Sequence, residues 1–326
     1  MNASCPAELL RAHAVVSRSW LLAQLDRGLD SLAATSPDSS PGEIIRWYGR
    51  GAHDGFDVCA DDHCQRYQGI GKASPAAREA VAATRGMVLM SGREICDARY
   101  SKCCGGRTEV FSTAWEDRDV PYLASIYDGE GDLAGFSMPL SSNCNAGRFI
   151  DSDPPAFCNT RSADLLARIL PGFDQATSDF YRWEVDYGAE ELGEIVESRL
   201  GLGLGSIRKL EPLERGPSGR IRRLGITGRN GRIVIGKELE IRRTLSRSHL
   251  YSSAFVVRTL ASSTGQVERF RLSGAGWGHG VGLCQIGAAV MADMGRSHEE
   301  ILAHYFRGAK IERLYRSSSL PSTKKQ

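Results

Sequence analysis

Residues 274–288 read GAGWGHGVGLCQIGA, six glycines in fifteen positions. No other stretch constrains the fold as tightly. Glycine at this density asks for positive φ, or for a ligand approaching the main chain closely. His279 sits between two of these glycines, which argues against a packed core histidine. The segment that follows, LCQIGAAVMADMG, has helical spacing and would aim its first amides back at the same place. No Gly-Lys-Ser/Thr follows, so this is not a phosphate loop. Tight turns use the same residues, but Trp277, His279, Cys284 and Gln285 inside the run point to a functional loop.

The remaining pattern predicts an α+β fold. A helix starts at Cys5-Pro6, with Leu9, Leu10, His13, Val15, Val16 and Trp20 on its apolar face. The stretch at 33–42 is a Ser/Pro-rich loop. Ser74 caps a helix that has Pro75 at its first position and Gly86 at its end. MVLM and EICDARYS follow as strands around a Ser-Gly turn. SADLLARIL is one short helix in an otherwise irregular stretch. FYRWEVDY alternates as a strand, and GAEELGEIVESRLG is a helix closed by Gly201. SIRKLEPLER, IRRLGITG and RIVIGKELEI read as strands of a Gly-rich antiparallel subdomain. SAFVVRTL and ERFRLSGAG add two more strands, and two helices end the chain. Segregated helices and strands without repeating βαβ units mark the α+β class.

Charge is unevenly placed along the 326 residues, although the net is only +2. Residues 128–197 hold 14 acidic and 4 basic side chains, and residues 199–248 hold 13 basic and 4 acidic. The basic run is either a solvated face or a surface for an anionic polymer. Nucleic acid is excluded as a partner, because aromatic residues do not interleave with the arginines as base stacking needs. No apolar run approaches the roughly 18 residues of a membrane span.

HDGFDVCADDHC places His53, Cys59 and Cys64 within twelve positions, and His63 adds a further imidazole. Thiolate and imidazole suit zinc, and three protein ligands leave one position open. The competing reading is two free cysteines in a polar loop. Cys144 and Cys158 bracket a Pro/Asn/Asp-rich loop that a disulfide would close in an oxidising compartment. In DARYSKCCGGRTEVFSTAW a strand runs into a Cys104-Gly105-Gly106 turn. Taken alone, that stretch is a structural hairpin.

Together AELLRAHAVVSRSWLLAQ, CQRYQG, AVAATRGMVLM, ICDARYSKCCGGRTE, PYL and GWGHGVGLCQIGAAVMADMGRSHEEILAHYFRGAKI resemble the SpoIID/LytB family. The resemblance covers residues 1–127 and about 249–315. It implies a SpoIID-like core over 1–127, an irregular surface insertion at 128–180, and a helix with a basic Gly-rich β-subdomain at 181–248. The core returns at 249–316, and 317–326 is a disordered tail. It further implies a lytic transglycosylase acting on peptidoglycan glycan strands in the cell envelope. In that chemistry a lone glutamic acid with raised pKa serves as acid and then base, and the sugar's own hydroxyl is the nucleophile.

In the family that glutamate would fall just before Met1. Glu8 is out of register for the role, so the start is expected to be misplaced and the chain as given to be inactive. Arg18 aligns with a supporting arginine, and Arg11 takes the place of a basic residue. His53, Cys59 and Cys64 resemble a family zinc site, with the third ligand open between Cys64 and His63. Tyr100, Gly105, Gly106, Thr108, Trp277, His279 and Gln285 are the implied glycan-contacting positions. Two alternatives stand beside the enzyme. One is a LytB-like enhancer that binds glycan and recruits a cell-wall amidase without cutting. The other is an unrelated zinc hydrolase.

Overall fold

The computed structural model describes residues 4–26, 41–49, 53, 55–61, 64–65, 73–170, 179–263 and 265–315. His63, most of the loop at 33–42 and the tail at 317–326 lie outside the described residues. The chain is α+β and is built around two hydrophobic cores.

The first core joins the two ends of the sequence. Helix α1 (Ala7–Asp26) turns Leu9, Ala12, Val15, Val16, Ser19 and Ala23 inward. This spacing makes one continuous apolar stripe. Strand β1 (Glu43–Ile45) crosses to the second core. Helix α2 (Pro75–Ala83) starts at Ser74, whose side chain accepts from the Ala77 amide. Strand β2 (Met87–Ser91) turns through Gly92, at φ +61°, into β3 (Glu94–Ile95). The expected strand over EICDARYS then breaks at a buried Asp97–Arg99 ion pair and resumes as β4 (Tyr100–Ser101). A short α3 (Phe111–Ala114) follows.

The segment at 128–170 is more ordered than its composition implies. It holds two helices, α4 (Asn143–Ile150) and α5 (Ala163–Ile169), capped by Ser142 and Ser162. Phe149, Cys158, Leu165, Leu166 and Ile169 from this segment are buried. The Cys144–Cys158 disulfide that the loop would allow is not formed. Cys144 points to solvent from α4, while Cys158 is buried with its sulfur 3.6 Å from that of Cys104.

The second core runs from Trp183 to Leu272. Strand β5 (Arg182–Gly188) leads into α6 (Ala189–Leu200), which ends at Gly201 with φ +68°. Strands β6 (Ile207–Arg215), β7 (Ile221–Gly228) and β8 (Arg232–Gly236) form an antiparallel set, with β1 added in parallel to β8. RIVIGKELEI does not continue as a strand. Lys237 has φ +74°, and Glu238–Thr244 is helix α7. A non-glycine residue at this φ needs compensation, and the buried Lys237 ammonium has it in Ser112 O at 2.8 Å and Asp117 at 2.6 Å. Strands β9 (Phe255–Ala261) and β10 (Val267–Ala275) pair with each other, and β10 also pairs with β5.

The chain then returns to the first core. The Gly-rich run leads to β11 (Leu283–Cys284), parallel to β4, and to α8 (Gln285–Asp293). Helix α9 (His298–Tyr305) carries a Ser297/Glu300 capping box, and β12 (Lys310–Arg313) pairs with β2. Helix α1 packs on α2, β2, α8 and α9, so the first helix and the last motif of the sequence share one interior.

Candidate functional site

The glycines of the 274–288 run face protein. A Cβ on Gly105 would lie 2.7 Å from the Gly276 nitrogen, and one on Gly282 would lie 2.2 Å from the Arg99 carbonyl oxygen. The two loops cross backbone to backbone. Trp277 N–H donates to Cys103 O at 2.8 Å, and Leu283 N–H donates to Arg99 O at 3.0 Å. These glycines therefore permit two main chains to touch. The expected aim of the α8 amides is also accounted for, since Ile286 N–H donates to Lys102 O at 3.1 Å.

His279 is held by this packing. Its Nδ1 accepts from Val281 N–H at 3.0 Å, and its ring meets Trp115 edge-on at 4.8 Å. Burial, with Arg99, Arg220 and Arg242 nearby, pushes its pKa well below the usual histidine value. The residue as a whole is half-buried, and its Nε2 has no hydrogen-bond partner among the described residues. Thr108 is buried, with its hydroxyl between Ala124 O and Ile126 N–H. Gly106 has φ +103° and lies against the Tyr181 hydroxyl.

Arg220 was expected among surface charges, yet it is fully buried. Its guanidinium donates to Gly278 O at 3.1 Å, Cys104 O at 3.2 Å and Ser218 Oγ at 3.0 Å. Ser218 Oγ in turn donates to the buried Glu109 at 2.6 Å. Arg222 pairs with Asp117 and Glu214, and Arg223 pairs with Glu43. The charges of this arginine triplet are thus spent inside the fold or neutralised by acids from other segments. They do not make the basic face its composition suggested.

A polar group with neutral donors and acceptors gathers where α1 meets α8. The Gln285 side-chain amide donates to His13 Nε2 at 2.9 Å, so the His13 proton sits on Nδ1 and donates to Ser17 Oγ at 3.0 Å. Burial lowers the His13 pKa to about 3, keeping the ring neutral. The ring meets Tyr100 edge-on at 4.4 Å. Tyr100 OH donates to Gln65 O at 2.9 Å, and the Gln65 amide brackets the Tyr100 backbone. Two positions further along the same extended backbone, Lys102 Nζ lies 4.2 Å from the Trp277 ring centroid. Trp277 stacks on Phe180 at 5.0 Å and meets Tyr251 edge-on. The roles of His13, Ser17, Gln65 and Lys102 were not read from sequence. His13 was visible only as one residue of an apolar helix face.

Gln65 follows Cys64 directly, so this polar group borders the cysteine loop. The ligand atoms of His53, Cys59 and Cys64 all lie within 4.8 Å of one another. His53 Nδ1 faces Asp57 O at 3.3 Å, which places the proton there and turns the Nε2 lone pair toward Cys64 Sγ at 3.4 Å. A carbonyl-oriented imidazole beside two thiols is a ligand set that can coordinate a metal ion. A second group, Cys104, Asp128, Cys158 and Cys284, also satisfies that spacing.

The two arginines assigned to catalysis are placed elsewhere. Arg18 donates to Thr84 O at 2.9 Å and Met87 O at 2.7 Å, tying α1 to the end of α2. Arg11 pairs with Glu8. Glu8 also accepts from His298 N–H at 2.8 Å and contacts His298 Nδ1 at 2.7 Å. Against the upward push of burial, those contacts and Arg11 hold the Glu8 carboxyl below its usual range. A general acid needs the opposite shift.

Two family models match the chain, and two known proteins are similar to it. A family described as stage II sporulation protein (SpoIID) matches residues 1–90, and a domain of unknown function, DUF8618, matches residues 109–282. The "Amidase enhancer" of Bacillus subtilis (strain 168) is 22% identical over 322 residues, covering 95% of this chain and 39% of that protein. An uncharacterized protein of Brachyspira hyodysenteriae (strain ATCC 49526 / WA1) is 22% identical over 315 residues, covering 95% of this chain and 63% of that protein. The chain therefore spans about two-fifths of the first relative and under two-thirds of the second. The relative with a functional name corrects the transglycosylase reading, because it is an amidase enhancer. With the sporulation-protein match at its N-terminus and the enhancer aligned along nearly its whole length, the chain belongs to the SpoIID/LytB family, with residues 109–282 forming its DUF8618 domain.

Proposed function

We propose that this chain is a peptidoglycan-binding amidase-enhancer module that acts outside the cytoplasm. The observation that carries the reading is the alignment with an amidase enhancer over 95% of the chain. Among the described residues no helix is long and apolar enough to cross a membrane. The binding face we assign is the one around Tyr100, Trp277 and Gln285. Aromatic surface and neutral amides suit a sugar, where each hydrogen bond is worth about 0.5–1.5 kcal/mol and no ionised group is required. In this reading the Lys102 side chain moves off the Trp277 ring to admit a sugar face. Zinc at His53, Cys59 and Cys64 would fix the loop that carries Gln65 and so position Tyr100. In this reading Gly105, Gly106, Thr108 and His279 shape the face without touching glycan.

Co-sedimentation with purified peptidoglycan tests this. The chain should pellet with the wall, and Gln285→Ala should weaken binding about tenfold or less, consistent with roughly one hydrogen bond. That loss should be nearly independent of salt, since no charge is removed. Failure of the unaltered chain to pellet would overturn the reading.

A further inference from the structure

Four ligand atoms meet in the first core from points 180 residues apart in sequence. Cys104 follows β4, Asp128 and Cys158 flank α4, and Cys284 ends β11 ahead of α8. None of these side chains is more than 2% exposed. We propose that Cys104, Asp128, Cys158 and Cys284 form a structural zinc centre that ties the 128–170 segment to the Gly-rich motif.

Geometry supports a tetrahedral ion. All four ligand atoms lie within 4.8 Å of one another. The Cys104 and Cys158 sulfurs are 3.6 Å apart, and Cys104 Sγ is 3.2 Å from Asp128 Oδ2. Zinc–sulfur bonds of about 2.3 Å at tetrahedral angles separate two sulfurs by roughly 3.8 Å. A disulfide holds them at about 2.05 Å and would leave the third thiol unused.

The surroundings orient the ligands. Tyr305 OH donates to Asp128 Oδ1 at 2.6 Å, leaving Oδ2 turned to the sulfurs. Cys104 N–H donates to Cys284 Sγ at 3.2 Å, and Cys158 N–H donates to Asp128 Oδ2 at 3.3 Å. Such contacts hold metal ligands in place. Gly287 is required here, because a Cβ would lie 2.6 Å from an Asp128 carboxylate oxygen and 2.3 Å from the Tyr305 hydroxyl.

Charge supports it as well. Asp128 is completely buried, and among the described contacts its only basic neighbour is His304, at 3.8 Å. A buried carboxylate without a cation is costly, and a divalent ion supplies that cation. Loading one Zn²⁺ releases to water whatever protons the three cysteines and Asp128 hold, so that all four bind as anions with no change of oxidation state.

The test uses the full chain purified under reducing conditions from zinc-supplemented cells. In the variant His53→Ala/Cys59→Ser, which disables the exposed loop, elemental analysis should still find one zinc per chain. X-ray absorption should give a shell of three sulfurs and one oxygen. Adding Cys158→Ser should remove that zinc. If the triple variant fails to fold, the ligand shell of the double variant decides. A metal-free double variant, a sulfur-poor shell, or a Cys104–Cys158 disulfide found by mass would each overturn the proposal.

Discussion

The two cysteine groups are built on opposite plans. His53, Cys59 and Cys64 come from one short loop, the first two half-buried and Cys64 buried, and they are steadied by contacts to their own neighbours. Cys104, Asp128, Cys158 and Cys284 come from four segments and are buried, and they are held by Tyr305 and by amides of the core. The first group is a local clasp, and losing it would loosen one loop. The second joins four segments of the chain, so losing it would weaken the whole first core. The arginines divide in the same way. Arg220 is buried and linked through Ser218 to the buried Glu109, whereas Arg223 sits in a half-exposed pair with Glu43.

This contrast can be broken by experiment. The largest effect is expected from metal removal at the buried group. Structural zinc can contribute on the order of 10 kcal/mol in small domains. Stripping zinc from the His53→Ala/Cys59→Ser variant should lower the unfolding midpoint by roughly 10 °C or more. An unchanged midpoint by calorimetry would make the buried group as local as the exposed one. Next comes Arg220→Met, which leaves Glu109 buried without its nearby cation and should cost about 3–5 kcal/mol in denaturant unfolding. Arg223→Met should cost under about 1 kcal/mol. Equal losses would dissolve the distinction between them.

A pH-dependent effect follows from His13. Its folded pKa of about 3 lies below the ordinary 6.5, so the unfolded chain binds a proton that the folded chain refuses. Stability from this group is complete above pH 6.5 and falls as pH drops toward 3, by up to about 1.4 kcal/mol per unit. His13→Gln should flatten the pH dependence of unfolding between pH 6.5 and 5, and an identical slope would refute the assignment. The smallest effect is that of His53→Ala/Cys59→Ser itself, in the presence of zinc. It should shift the midpoint by only about 2 °C, because a partly exposed loop loses few core contacts.

The same contrast explains what could be read in the sequence. Local signals survived: Ser74 before Pro75, Gly201 after α6, and the strands β5, β9 and β10 all appear where their patterns place them. The cysteine loop was visible because its ligands are neighbours in sequence. Non-local arrangements were not visible. Nothing in CCGG, in FCN or in LCQ announces that their sulfurs converge, and charge density cannot reveal that Arg220 faces inward. Helix α4 was missed because NCNAGRFI has weak helix propensity and owes its form to the Ser142 cap and to Phe149 and Ile150 in the interior. Helix α7 was read as strand because IVIGKELEI alternates, and only Lys237 and its partner Asp117 mark the break. The glycine run was found easily, but the backbone it packs against was not, since a close approach of two backbones leaves the same trace as a ligand cradle.

The central claim is that this chain holds peptidoglycan and helps another enzyme cut it. The direct measurement is to digest purified peptidoglycan with a cell-wall amidase, with and without the chain, and to analyse products by mass. The account predicts faster amide cleavage with the chain present and no anhydromuramyl ends from the chain alone. Anhydromuramyl ends without amidase, or an amidase rate indifferent to the chain, would contradict it.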